Sequence, residues 1–81
     1  MGAEMKRVTF YTKPDCGLCE RAESVLHKVN QHIPFEWITV DITQDEVAFK
    51  KYAIDIPVVF INDVEHARHV VDEAAFRQAL I

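Results

Sequence analysis

The sequence predicts an α/β sandwich of three layers built on a mixed sheet, and three observations carry that prediction. Apolar periodicity switches repeatedly between the alternation of strands and the spacing of helices. The run Ile56-Pro57-Val58-Val59-Phe60-Ile61 is almost wholly apolar, as befits a strand inside a sheet. Only Asn62-Asp63 separates it from the next strand candidate, so those two strands should form an antiparallel hairpin, although the preferred glycine is absent. Helices after the first two strands imply parallel crossovers, which makes the sheet mixed.

Taken in order, residues 1–6 form a flexible lead, and Val8 to Thr12 alternates and is rich in β-formers until Lys13-Pro14-Asp15 breaks it. From Leu18 onward, Leu18, Ala22, Val25, Leu26 and Val29 follow helical spacing, and Pro34 stops the helix. Phe35 to Ile42 is the second strand. Thr43-Gln44-Asp45-Glu46 then reads as a capping box, in which Thr43 and Glu46 satisfy each other's free backbone N–H groups and open a short helix through Val47, Ala48, Phe49, Tyr52 and Ala53. After the hairpin, Val64 to Val70 forms the last strand. Asp72-Glu73 opens a final helix, where negative charge is favourable, and Ala75, Phe76, Ala79 and Leu80 supply its apolar stripe. The order is β-α-β-α-β-β-α.

Eighty-one residues without a repeat or a Pro/Ser/Gly-rich linker predict one domain, 1–81. The formal net charge of -4 opposes a general nucleic-acid or anionic-membrane surface. No apolar run approaches the ~18 residues of a membrane span, the start lacks the apolar core of a signal peptide, and Lys6 stands where a lipidation pattern needs Ser or Thr. The expectation is a cytoplasmic monomer. In a reducing compartment, a close pair of cysteines points to catalysis or metal binding before it points to a structural staple.

That pair is Cys16 and Cys19, the two cysteines of the chain, where the first strand gives way to the first helix. Residues at this spacing lie one turn apart on one helix face, so one thiol can attack a mixed disulfide formed by the other. Cys16 falls at the helix start, where free N–H groups and the positive end of the macrodipole stabilise a thiolate, and is the expected nucleophile. Cys19, a turn further in, suits the resolving role. Lys13 should favour the Cys16 thiolate while Asp15 opposes it, with a moderately depressed thiolate pKa as the expected outcome. Tyr11, Trp37, Phe10, Phe35, Phe49, Phe60 and Phe76 are read as core or near-core packing.

Together these features resemble the glutaredoxin branch of the thioredoxin-like proteins over nearly the whole chain: a strand, then Lys13-Pro14-Asp15-Cys16-Gly17-Leu18-Cys19 opening a helix, and later Ile56-Pro57 opening an apolar strand. The resemblance implies a thioredoxin-like fold with a four-stranded sheet, a cis peptide at Ile56-Pro57 facing the cysteines, and thiol–disulfide exchange. It further implies that Lys13, Leu18, Ile56, Pro57 and Asp72 contact substrate or glutathione. Partners would be disulfide-containing proteins or glutathione mixed disulfides, with glutathione or a reductase as electron donor and no tightly bound cofactor. Two departures touch the expected glutathione site. Gly17-Leu18 stands where typical members have Pro-Tyr, and His69-Val70 stands in place of Gly-Gly, where side chains would obstruct close backbone approach.

Other chemistries use the same residues. Cys16, Cys19, His66 and His69 supply four potential zinc ligands, but the spacing between the pairs is far from the usual pattern, and on a strand the two histidines would point to opposite faces. A [2Fe–2S] cluster would need a dimer, since one chain offers two thiolates. A non-catalytic binding module would dock an extended peptide near Ile56-Pro57.

Overall fold

In the computed structural model, which describes residues 5–81, four strands and three helices follow the expected order. They are β1 (Arg7–Thr12), α1 (Gly17–Asn30), β2 (Glu36–Asp41), α2 (Glu46–Tyr52), β3 (Val58–Ile61), β4 (Val64–Arg68) and α3 (Glu73–Leu80). Of the expected flexible lead, residues 1–4 lie outside the described residues. Lys6 is half-buried, and its carbonyl accepts from the Glu36 N–H at 2.9 Å.

The strands lie in the order β2-β1-β3-β4, with β1 and β2 parallel and both other pairings antiparallel. The first crossover is therefore parallel as expected, and the second is not. The reason is length: α2 has seven residues and spans about 10 Å, whereas a return along a six-residue strand needs about 20 Å. The chain leaves β2 and enters β3 at the same end of the sheet, so β3 runs opposite to β1.

The caps also differ from the Thr43–Glu46 box. Asp41 accepts from the Thr43 N–H at 2.9 Å and from the Thr43 hydroxyl at 2.6 Å, which places Thr43 inside a 3-10 turn, Ile42–Gln44. Asp45 is the α2 cap, accepting from the Ala48 N–H at 3.0 Å. Aspartate is the better N-cap, contributing about 1 kcal/mol, and an Asp lies ahead of each of these two turns. Asp72 caps α3 through the Ala75 N–H at 2.9 Å, as the acidic helix start predicts. The Asn62-Asp63 hairpin forms without glycine because both residues adopt the left-handed region, φ 50° and 70°, which Asn and Asp tolerate.

Strand alternation sends Val8 and Phe10 to one face and Tyr11 to the other. The first face meets Leu26 and Val29 of α1 and Phe76 and Leu80 of α3, all buried. Phe35 meets Phe76 edge-on at 5.6 Å between ring centroids, and Trp37 packs against Phe10 and His27. On the second face Tyr11, Tyr52 of α2 and Phe60 form an aromatic cluster, with Tyr11 and Tyr52 4.8 Å apart. Of the expected apolar stripes, Ala75 in α3 and Val47 and Phe49 in α2 are instead exposed.

Candidate active site

Lys13, Pro14 and Asp15 carry the chain from β1 into α1, and Asp15 makes the turn with a left-handed φ of 59°. Cys16 follows in an extended conformation as the N-cap of α1: its carbonyl accepts from the Glu20 N–H at 3.0 Å and its Sγ from the Cys19 N–H at 3.2 Å. Sulfur thus takes the place of a Ser or Asp capping oxygen, at the helix end that favours negative charge. A disulfide joins Cys16 to Cys19, with Cα atoms 5.2 Å apart. Cys16 is half-buried and Cys19 is 2% exposed, so an incoming sulfur has access to Cys16. A Cβ at Gly17 would meet no atom beyond its own chain neighbours and helix backbone within 4 Å, so the space beside that position is open.

Two cavities flank this helix start. The larger, of about 330 Å³, is walled by both cysteines with Lys13, Asp15, Glu20, Glu23, Thr39 and Asp41 among its lining. The smaller, of about 150 Å³, lies among Leu18, Arg21, Val25, His69, Val70 and Val71. Lys13 and the two cysteines thus line one cavity. Leu18, predicted to lie on the apolar face of α1, is 39% exposed and borders the smaller cavity. Ile56 and Pro57 are buried, their peptide bond is cis, and Asp72 is exposed and engaged in capping α3.

The Ile56-Pro57 segment is tied to the end of β4. The Pro57 carbonyl accepts from the His69 N–H at 2.8 Å, and Asp55 accepts from the Arg68 guanidinium at 3.0 Å, with the His69 imidazole 3.3 Å away. Arg68 also grips Glu65 at 2.6 Å, and that hydrogen bond holds the Glu65 carboxyl below the usual carboxylate range. His69 has a φ of 70°, which ends β4 at Arg68 rather than at Val70. His66 packs near Phe76 at 5.7 Å. Neither histidine lines the cavity that the cysteines share.

Sequence reasoning missed Glu20, Glu23, Thr39, Asp41, Asp55 and Arg68. The first two carried a usable signal, because positions four and seven beyond Cys16 share its helix face. Thr39 and Asp41 reach the cavity through the parallel register that sets Phe10 beside Thr39 and Thr12 beside Asp41.

A parallel β-α-β unit completed by an antiparallel hairpin, with a Cys-x-x-Cys at the first helix start, defines a thioredoxin-fold protein. Similar solved structures support this: Ne2328 from Nitrosomonas europaea, a solution structure, has a TM-score of 0.84 at 23% identity over 100% of this chain and 98% of that one. XcR50 from X. campestris has a TM-score of 0.74 at 23% identity, covering 90% and 93%. Thioredoxin from Fasciola hepatica has a TM-score of 0.64 at 25% identity, covering 94% and 78%. Residues 7–81 match the family described as Glutaredoxin-like domain (DUF836), and the chain belongs to that family. It is 29% identical over 72 residues to the glutaredoxin-like protein YDR286C homolog of Dictyostelium discoideum, covering 82% of this chain and 67% of that protein.

Proposed function

We propose that this chain is a thiol–disulfide oxidoreductase in which Cys16 attacks and Cys19 resolves. The observation that carries the reading is the capping geometry: Cys16 Sγ sits on a free N–H of the first helical turn, half-exposed, while its mate is buried within bonding reach. In the reduced protein the Cys16 thiolate attacks one sulfur of a partner disulfide. The partner's S–S bond breaks, and its leaving thiolate takes a proton from water. Cys19 gives its proton to solvent and attacks Cys16 Sγ, which releases the partner's second thiolate and closes the Cys16–Cys19 bond. Two electrons pass from the cysteine pair to the partner.

The partner is a disulfide-containing protein or a glutathione mixed disulfide, and glutathione or a reductase returns the electrons. Lys13, Leu18, Ile56, Pro57 and Asp72 are the substrate-contacting set in this reading, no tightly bound cofactor is required, and the protein acts as a cytoplasmic monomer. Among the described residues no helix is long and apolar enough to cross a membrane.

Titrating the pair in glutathione buffers, with acid trapping and mass spectrometry, tests the function. The expected result is reversible interconversion of dithiol and intramolecular disulfide, with glutathione adducts on Cys16 when Cys19 is replaced by serine. A pair that stays oxidised or stays reduced across the whole series would remove the proposal.

A further inference from the structure

We infer that the disulfide exchanged at Cys16 belongs to a cationic partner, a protein segment with lysine or arginine beside its reacting cysteine. The inference rests on the exchange reading above and names the substrate class for that site. Cys16 and Cys19 both form part of the wall of the larger cavity, so groups next to an incoming sulfur enter its field. Asp15, Glu20, Glu23 and Asp41 place four carboxylates there against the single ammonium of Lys13.

Internal pairing does not cancel this charge. Among the described residues Asp15, Glu20 and Glu23 join no ion pair, and Asp41 accepts from Thr43, a neutral donor. Arg21 and His69 line the smaller cavity instead. The formal net charge of the whole chain, -4, has the same sign. A cleft with an excess of one sign of charge concentrates ligands of the opposite sign and repels its own. Glutathione disulfide, with an excess of carboxylates on each tripeptide, approaches against this field, whereas a lysine or arginine next to a protein disulfide approaches with it.

The test uses the reduced 81-residue chain and two disulfide-linked peptides that differ only in having lysine or glutamate on either side of the cysteine. Each rate is divided by the rate of the same peptide with dithiothreitol, which removes intrinsic differences in disulfide reactivity. At low ionic strength the lysine peptide is expected to react about tenfold faster, a preference that shrinks as salt screens the cleft. Replacing the two helix carboxylates together, Glu20→Gln and Glu23→Gln, is expected to cut that ratio to about threefold. Equal rates, a preference for the glutamate peptide, or a ratio that neither salt nor the double substitution changes would overturn the inference and leave the exchange chemistry standing. Failure of the wild-type chain to react with either peptide would remove the exchange reading and this inference with it.

Discussion

Cys16→Ser is expected to lower the rate of disulfide exchange by about a thousandfold or more, because a serine hydroxyl is un-ionised at neutral pH and cannot form the mixed disulfide. Cys19→Ser should do something different. The first attack survives, since Cys16 keeps its exposure and the backbone N–H of residue 19 still points at its sulfur. Release then stalls, and the partner accumulates as an adduct on Cys16. Rates of disulfide reduction together with intact-mass spectra separate the two variants. The reverse pattern, adducts on Cys19 in a Cys16→Ser chain, would exchange the two roles.

Phe76→Ala should come close to unfolding the domain. Phe76 is 0% exposed and is the ring through which α3 meets Phe35 and the sheet. Emptying such a site costs about 3–5 kcal/mol from lost burial and the cavity left behind. A domain of this length has a total stability of only about 4–12 kcal/mol. Urea unfolding followed by circular dichroism reads the loss as a lower midpoint. Ile54→Ser is the control: Ile54 is 90% exposed, and the expected change is within about 0.5 kcal/mol. A Phe76→Ala chain within 1 kcal/mol of wild type would mean that α3 does not close the core.

Short-range chemistry made most of this architecture readable. Alternation from Val8, helical spacing from Ala22 to Val29, the apolar strand ahead of Asn62-Asp63 and the acidic start at Asp72 all act within a few residues of where they are written. The direction of β3 is not legible locally, because it depends on where the chain re-enters the sheet, and the two-turn α2 is too short to carry it back. The cap of α2 is ambiguous in the sequence because Thr43 and Asp45 both suit a helix start; the 3-10 turn after Asp41 takes Thr43 and leaves Asp45 to cap.

The placement of the cysteines and Lys13 around one cavity is legible because they lie on one continuous segment at a strand-to-helix junction. Thr39 and Asp41 arrive through strand pairing, and Asp55 meets Arg68 across the β3–β4 side of the sheet, so no local pattern marks them. His69 holds a left-handed backbone that glycine would have announced.

Brief treatment of the reduced chain with iodoacetamide at pH 7, followed by peptide mapping, tells the two sulfurs apart. The expected result is carbamidomethylation at Cys16, faster than that of free cysteine under the same conditions, with Cys19 unmodified. Labelling that falls first on Cys19, or a Cys16 that reacts no faster than free cysteine, would contradict the claim that the helix cap makes Cys16 the attacking sulfur.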